Sequence, residues 1–333
     1  MKILGIETSC DETSVALVED KGGILKVVKN LVYSQIPIHR QYGGVVPEVA
    51  ARRHVEKIIP LIKEVIKNKP QAIAVTAGPG LATALLVGIE TAKTLSYLLN
   101  IPLVRVNHIE GHIYSNFINQ KISSTAKIFP ALCLVVSGGH TELILMKKHL
   151  SYKLIGQTRD DAVGECFDKV GKILNLPYPG GPEVAKLATK GNHQAISFPR
   201  PMIDTADFDF SFSGLKTAVF YQQQKNLNSP QDICASFQQA AIDVLISKTL
   251  KAIKKHRIKT ILTGGGVAAN QELQRQLQQA INEHCPRVNY QNIQPAFCGD
   301  NAAMIAAAGY YNLKNKKIID WQKLKMDPQW ELV

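Results

Sequence analysis

The sequence lacks long apolar runs and closely paired cysteines. These absences argue against a membrane-spanning protein and against a disulfide-framework protein. No stretch reaches the ~18 uncharged apolar residues of a membrane-spanning helix, so we expect no membrane association. The six cysteines form no CxxC pair and no disulfide-framework spacing, which indicates a reducing compartment. The first short apolar run contains Glu7 and predicts a strand, not a signal peptide. We expect a cytoplasmic protein, and an organelle stroma or matrix would also be compatible.

Length and charge narrow the possibilities further. At roughly 150 residues per domain, 333 residues predict about two domains. Lysine and arginine number 39 against 27 acidic residues, a net charge of +12. This balance suits a polyanionic partner, because basic side chains displace counterions from phosphates. A generic basic surface explains the charge equally well.

The order of predicted elements indicates an α/β protein with duplicated lobes. A strand hairpin, a helix, a buried strand and a second helix occur in sequence, and a second such cycle starts near Phe129. We therefore expect an N-terminal lobe over residues 1–125 and a C-terminal lobe over residues 126–333. The last helix, predicted at 301–312, is expected to pack back on the N-terminal lobe.

Three turns rich in glycine or small polar residues are suited to approach a nucleotide. They are ETSCDET at 7–13, SGGHT at 137–141 and GGGVAAN at 264–270. Glycine lets backbone N–H groups approach phosphate oxygens, and a following helix adds partial positive charge. None is a GxGxxG or Walker A motif. Each alone is explained by a plain tight turn, but their equivalent places in two lobes favour a nucleotide cleft.

The segment NHIEGH carries a candidate metal site. His108 and His112 are four residues apart and would project from one face of a helix. With Asp300 they form a two-histidine, one-carboxylate set that suits Fe(II) and would also accommodate zinc. Glu110 would point away from this face, so the general-base geometry of HExxH proteases fails. The alternative is structural histidines with Asp300 as a helix N-cap.

Ten segments occur in an order that resembles the TsaD family, close to its bacterial and organellar branch. The resemblance covers essentially the whole chain, and several of the segments are long and unusual. They are ETSCDET, YGGVVPEVAARRH, TAGPGL, NHIEGH, VSGGHTELIL, GECFDKVGKIL, YPGGPEV, FSFSGLKTAV, GGGVAANQEL and FCGDNAAMIA.

The resemblance implies a fold and an activity. The fold would be the two-lobed actin-like ATPase superfold, in which phosphate hairpins from both lobes hold one nucleotide. The enzyme would transfer threonylcarbamoyl from threonylcarbamoyl-AMP to N6 of adenosine 37 in tRNAs that read codons beginning with A, releasing AMP. A separate synthase would supply the adenylate. Besides tRNA, the implied partners are a TsaB-like paralogue and a TsaE-like ATPase.

The resemblance also implies residue roles. The metal would be held by His108, His112 and Asp300. The nucleotide or intermediate would be lined by Val136, Ser137, Gly138, Gly139 and His140. Asp168 and Gly181 would hold the ribose and substrate region, and Asn270 would touch the adenosine part.

Other polar residues have two interpretations each. Asp11 and Glu12 match the acidic pair of the first hairpin and would accept the amine proton, or would cap the turn. Lys216 would meet the leaving phosphate, or is a solvated helix lysine. The residue after PGGP that is often acidic in the family is Glu183 or Ala185.

This chain departs from the archaeal and eukaryotic pattern of the family. Val135 stands where those relatives carry a tyrosine metal ligand, and SGGHT replaces SGGNT. Both features match the bacterial branch and imply one fewer protein ligand on the metal. Three other functions remain as alternatives: a metalloprotease, a sugar or acetate kinase of the same superfold, and a non-catalytic nucleotide-binding scaffold.

Overall fold

The computed structural model describes residues 1–333, apart from the side chain of Asn68. The chain divides into two compact units, each assembled from more than one segment. The first contains residues 1–128, 148–151 and 293–333, and the second contains 129–147 and 152–292. Among the described residues, no helix is long and apolar enough to cross a membrane.

The first unit contains a five-stranded mixed sheet in the order β3-β2-β1-β4-β5. Its strands are β1 (Lys2–Glu7), β2 (Glu12–Lys21), β3 (Ile24–Ser34), β4 (Ala72–Gly78) and β5 (Leu103–Asn107). The first three pair antiparallel, and β4 pairs parallel with β1 and β5. All seven residues of β4 are buried, as expected for a parallel strand covered on both faces.

The second unit repeats this topology in the order β10-β9-β6-β7-β8. Its strands are β6 (Ala131–Val136), β7 (Thr141–Lys148), β8 (Ser151–Gln157), β9 (Thr260–Gly264) and β10 (Asn289–Gln291). As in the first sheet, the central strand β6 pairs antiparallel with the next strand and parallel with a later one, β9. The matching strand orders confirm the predicted duplication of an α/β lobe.

Eleven α-helices connect these strands in the described part of the chain. The first unit contains α1 (Ile36–His39), α2 (Pro47–Val65), α3 (Ala82–Leu99), α4 (His108–Tyr114), α5 (Ile122–Thr125) and α11 (Ala302–Lys314). The second unit contains α6 (Val163–Ile173), α7 (Gly180–Ala188), α8 (Ser213–Gln224), α9 (Pro230–His256) and α10 (Gln271–His284). Short 3-10 segments lie at Arg40–Tyr42, Ile66–Asn68, Ser115–Phe117, Ala126–Ile128, Gly266–Ala269 and Pro295–Phe297.

Five elements differ from the sequence-based expectation. The strands β8 and β10 and the helices α1, α5 and α7 were not predicted. β10 is a three-residue strand, Asn-Tyr-Gln, without apolar alternation, and α7 begins with two glycines and a proline. Local propensity opposes α7, but burial of Val184 and Ala188 stabilises it. After the GGG turn, a 3-10 segment precedes α10, so that helix begins only at Gln271.

The two faces of β1 pack against different helices, because successive strand residues point to opposite sides. Leu4 and Ile6 lie in the apolar core that also contains Ile58 of α2 and Ile89 of α3. On the other face, an added Cβ on Gly5 would lie 2.1 Å from the Ala302 carbonyl oxygen of α11. The α11 backbone therefore lies directly on β1, where only glycine fits.

We predict that Gly5→Ala destabilises the protein by about 1–3 kcal/mol, because the new methyl group must displace α11. The measurement is the midpoint of urea unfolding. Gly44→Ala is a matched control, since a Cβ there meets no atom within 4 Å. The control should change the free energy of unfolding by less than about 1 kcal/mol. Equal midpoints for the two variants would contradict the close packing of α11 on β1.

Candidate functional site

The histidine pair lies at the start of α4, immediately after β5. The Asn107 side chain caps this helix, with Oδ1 accepting from the backbone N–H groups of Ile109 (2.8 Å) and Glu110 (3.4 Å). The cap fixes His108 as the first helical residue, one turn before His112. Both imidazoles are buried, and their ring centroids are 4.6 Å apart. The structure confirms the predicted helix and the shared face.

Asp300 lies beside both histidines in the first unit. Its Oδ1 is 3.5 Å from Nε2 of His108 and 3.3 Å from Nε2 of His112. One ligand atom from each of the three residues lies within 4.8 Å of the others. The alternative interpretation of Asp300 as the N-cap is wrong, because Asn301 caps α11 by accepting from the Met304 N–H at 3.0 Å.

The buried atoms of His112 indicate that this cluster suits a cation. Among the described residues, neither ring nitrogen of His112 has a hydrogen-bond partner of acceptable geometry. A buried polar atom without a partner is costly and needs an explanation. Two imidazole nitrogens and a carboxylate oxygen form a set that transition metals prefer. His108, His112 and Asp300 therefore form a possible metal site, and their donor chemistry fits a divalent ion.

Glu110 is turned away from this cluster, as predicted. It is buried, and its Oε2 accepts a hydrogen bond from Nδ2 of Asn312 at 2.7 Å. A carboxylate engaged with α11 is not positioned as the general base of an HExxH protease.

Glu7 is a further polar residue of this site that the sequence analysis did not assign. It ends β1, is fully buried, and accepts hydrogen bonds from Ser9 N (2.5 Å) and Thr76 Oγ1 (2.6 Å), while its Oε2 lies 3.1 Å from His108 Nδ1. Burial opposes the charged form of His108, but the Asp300 and Glu7 carboxylates outweigh it and raise the His108 pKa to about 9. The only hint in the sequence was a single carboxylate at the end of a mostly apolar strand.

Asp11 and Glu12 lie at the turn between β1 and β2. Asp11 is buried, and Glu12 opens β2 with its Oε1 accepting from Ser34 Oγ at 3.1 Å. Burial, with the nearby carboxylates of Asp11 and Asp300, raises the pKa of Glu12 well above its usual range. The charged form of Glu12 is therefore disfavoured in this environment, which makes Glu12 less suited to a role that needs a free carboxylate.

The SGGHT turn of the second unit connects β6 to β7. Ser137 N donates to the His140 carbonyl oxygen (2.8 Å), and His140 N donates to Ser137 Oγ (3.1 Å), which closes a tight turn. Gly138 and Gly139 are exposed at its tip, where an added Cβ would meet no atom within 4 Å. Their N–H groups thus lie at an open surface that a ligand can approach.

A cavity of about 530 Å³ lies next to this turn, within the second unit. Gly138, Asp168, Gly181 and Asn270 line it, whereas Val136, Ser137, Gly139 and His140 are not among its lining residues. The structure therefore groups four of the eight predicted nucleotide residues around one cavity. The other four belong to the adjacent turn and strand end.

Hydrogen bonds fix the polar residues of this cavity. Asp168 Oδ1 accepts from Gly181 N at 3.0 Å, which joins α6 to the start of α7. Asn270 caps α10 through Oδ1 and donates from Nδ2 to Gln238 Oε1 at 2.8 Å. Gln238 also lines the cavity and was not predicted from the sequence. The sequence offered little indication of this role, since Gln238 lies inside the long helix α9 without a recognisable motif.

The structure adds contacts at two positions that the sequence left open. Ala185 lines the cavity, whereas Glu183 is not among the lining residues. Lys216 forms an ion pair, with its Nζ 2.7 Å from Asp161 Oδ2. Asp161 also pairs with Lys169 at 2.8 Å, and these cations lower its pKa against the effect of burial.

The fold is similar to that of HypF, which confirms the predicted actin-like ATPase superfold with two lobes. The crystal structure of T.kodakarensis HypF matches with a TM-score of 0.61 and 14% identity, covering 95% of this chain and 48% of that one. Full-length HypF in its phosphate- and nucleotide-bound form matches with a TM-score of 0.60 and 13% identity, covering 96% and 56%. The chain thus spans about half the length of these structures.

Sequence relatives then identify the family. The tRNA N6-adenosine threonylcarbamoyltransferase of Carboxydothermus hydrogenoformans is 50% identical, covering 95% of this chain and 93% of the relative. The Bacillus subtilis protein of the same name is 49% identical, covering 93% and 90%. The TsaD family model, described as tRNA N6-adenosine threonylcarbamoyltransferase, matches residues 26–307. The chain belongs to the TsaD family, and its relatives are transferases.

We predict that chelator-stripped protein binds one equivalent of Co²⁺ or Zn²⁺, and that His112→Ala weakens this binding by at least ~100-fold. Removing a direct metal ligand should weaken metal affinity more than the 10–100-fold typical of removing a residue that only orients a ligand. Competition with a chromogenic chelator measures the affinity. His193→Ala is the control, because His193 is exposed in the second unit. Equal affinity of His112→Ala and wild-type protein would exclude the site.

Proposed function

We propose that this chain transfers a threonylcarbamoyl group from threonylcarbamoyl-AMP to N6 of adenosine 37, in tRNAs that read codons beginning with A. AMP is released. The observation that carries this proposal is membership of the TsaD family over nearly the whole chain. The intact cluster of His108, His112 and Asp300 supports it, because a non-catalytic relative would have no need to keep those buried polar groups together.

The reaction is an acyl transfer to a weakly nucleophilic aromatic amine, and the leaving group is a phosphate. The chain must bind the adenylate, support negative charge on the departing AMP and accept a proton from the amine. The cavity of the second unit supplies the first function in this proposal, with Asp168 and Gly181 near the ribose and Asn270 near the adenosine part. Its volume of about 530 Å³ is sufficient for a nucleotide-sized ligand.

The exposed SGGHT turn supports the phosphate in this proposal. Backbone N–H groups of Gly138 and Gly139 are directed by the turn geometry and need not reorganise when charge develops. Neither glycine is demanded by packing against protein atoms, because an added Cβ at either would meet none within 4 Å. The space is therefore available to a ligand, with Ser137 and His140 fixing the turn and Val136 ending the strand that carries it.

We propose that His108, His112 and Asp300 hold one divalent metal, Fe(II) or zinc. When bound, this metal would supply Lewis-acid stabilisation of charge on a phosphate or carbamoyl oxygen. Val135, in place of a tyrosine, leaves the protein with three ligands. Open coordination positions are typical of two-histidine, one-carboxylate sites.

Asp11 is the proton acceptor that we favour over Glu12. Burial and the charges of Asp11 and Asp300 raise the pKa of Glu12, so its charged form is disfavoured and it is the poorer candidate for a proton acceptor. The two side chains thus have different roles in this proposal, although they are adjacent in the sequence.

The proposal includes partners and a location. The net charge of +12 supports binding of tRNA phosphates. We propose that a separate synthase supplies threonylcarbamoyl-AMP, that a TsaB-like paralogue and a TsaE-like ATPase assist, and that the protein acts in the cytoplasm. We further propose that residues 1–125 and 126–333 act as the two functional lobes, with the last helix α11 packing back on the N-terminal one.

We predict that the chain, mixed with bacterial partner proteins and labelled threonylcarbamoyl-AMP, transfers label to a tRNA transcript that reads an A-starting codon. A transcript with guanosine at position 37 is the control and should receive none. Label retained at wild-type rate by His108→Ala in metal-free buffer would contradict the metal proposal alone. No label, with intact adenylate and all partners present, would favour a non-catalytic scaffold.

We predict that Asp11→Asn lowers the rate of transfer by about 10²–10⁴-fold, the range for loss of a positioned proton acceptor, whereas Glu12→Gln lowers it far less. Gln reproduces the neutral, hydrogen-bonding state of a protonated glutamate. Single-turnover assays with preformed adenylate separate this chemical step from tRNA binding. An equal loss in both variants would show that the two carboxylates act as a unit.

A further inference from the structure

We propose that Glu7 is a positioning residue that determines which ring nitrogen of His108 faces the metal. The inference rests on the metal centre proposed above and assigns a role to a residue outside the ligand set. Successive residues of β1 point to opposite faces of the sheet. Gly5 faces α11, so Glu7, two residues later, lies on the same face, towards the segment that carries Asp300.

The Glu7 carboxylate is fully buried and surrounded by donors. Its Oε1 accepts from the Ser9 backbone N–H at 2.5 Å. Its Oε2 accepts from Thr76 Oγ1 at 2.6 Å and lies 3.1 Å from His108 Nδ1. Burying an unpaired carboxylate is costly, and the donors Ser9 N and Thr76 Oγ1 stabilise this one.

The two nitrogens of His108 face different groups. Nδ1 faces Glu7, and Nε2 lies 3.5 Å from Asp300 Oδ1, on the side of the proposed metal. To bind a metal, His108 must give up one of its two ring protons, and the nitrogen that loses its proton becomes the ligand. A carboxylate is an acceptor only, so it places the proton on Nδ1 and leaves the Nε2 lone pair for the metal.

Ser9 is the competing partner for the same nitrogen. Its Oγ also lies 3.1 Å from His108 Nδ1. A hydroxyl group can donate or accept, so it fits either tautomer and cannot select one. Glu7 can only accept. The selection of the tautomer is therefore assigned to Glu7, with Ser9 as an accessory contact.

The isosteric variant Glu7→Gln tests this role directly. The Ser9 N–H belongs to the backbone and cannot reorient, so the glutamine oxygen must take the Oε1 position. The amide NH₂ then takes the Oε2 position and directs a donor at His108 Nδ1. The Thr76 hydroxyl can rotate to accept, but His108 must move its proton to Nε2. That tautomer cannot bind a metal through Nε2.

We predict that Glu7→Gln weakens Zn²⁺ affinity by about 10–100-fold, the range for partners that orient a histidine ligand. Chelator competition on the full chain measures it. Thr76→Val removes another donor to the same carboxylate, and Ser9→Ala removes the accessory contact. Both controls should remain within about twofold of wild type. In a His108→Ala background, Glu7→Gln should weaken the remaining Zn²⁺ affinity by less than about twofold. The reason is that Glu7 acts on the metal through His108.

Several results would overturn the proposal. Zn²⁺ affinity of Glu7→Gln near that of wild type, with His112→Ala still defective, would leave the metal centre intact and remove the role of Glu7. An equal loss from Glu7→Gln in the presence and absence of His108 would show a structural effect only. If wild-type protein binds no Zn²⁺, or His112→Ala binds it normally, the metal centre itself is wrong, and this result is distinct from the other two.

A measurement on wild-type protein keeps the proposal testable if Glu7→Gln does not fold. ¹⁵N NMR of the histidine rings in Zn²⁺-loaded protein reports which nitrogen carries the proton. We expect a protonated Nδ1 and a zinc-bound Nε2 at His108, assigned by loss of those signals in His108→Ala. The reverse pattern would overturn the proposal.

Discussion

Direct contact between the α11 backbone and β1 is the constraint on which the candidate metal site depends. Gly5 has no Cβ, so the Ala302 carbonyl oxygen lies where one would be, and Ser14 Oγ accepts a hydrogen bond from Ala302 N at 2.8 Å. These contacts fix the start of α11 against the first sheet. Asp300, two residues earlier, is thereby held within 3.5 Å of both histidines although almost 190 residues separate them in sequence.

The same region concentrates buried charge in a small volume. The charges of Asp300 and Glu7 stabilise the protonated form of His108, which is why its pKa is raised although burial alone would lower it. Nε2 of His112 lies 3.3 Å from Asp300 Oδ1, but neither ring nitrogen makes a hydrogen bond of acceptable geometry with the described residues. Protein atoms therefore support His108 better than His112, and a bound cation would give His112 a partner. The cavity of the second unit is different, because hydrogen bonds within the protein already hold its polar side chains Asp168, Asn270 and Gln238.

Much of the fold and site could be predicted because both rest on local patterns. Apolar runs and helical spacing predicted the strand hairpin, the buried strand and the helices of each of the two cycles. His108 and His112 were paired correctly because four residues make one helical turn. β10 and α7 were missed because non-local burial, and not the propensity of their residues, stabilises them. Glu7 was missed because a lone carboxylate in a strand does not reveal its partners.

The sequence by itself determined the duplicated α/β lobes, the histidine pair and membership of the TsaD family, since each depends on residues close together in the chain or on their order along it. Only the tertiary structure decided that Asp300 approaches the histidines, that Asn301 and not Asp300 caps α11, and that Glu7 faces His108 Nδ1. It also decided that Lys216 pairs with Asp161. The physical reason is that these contacts join distant segments, and their distances depend on how a helix lies on a sheet. That arrangement is set by packing at positions such as Gly5, which no local pattern specifies.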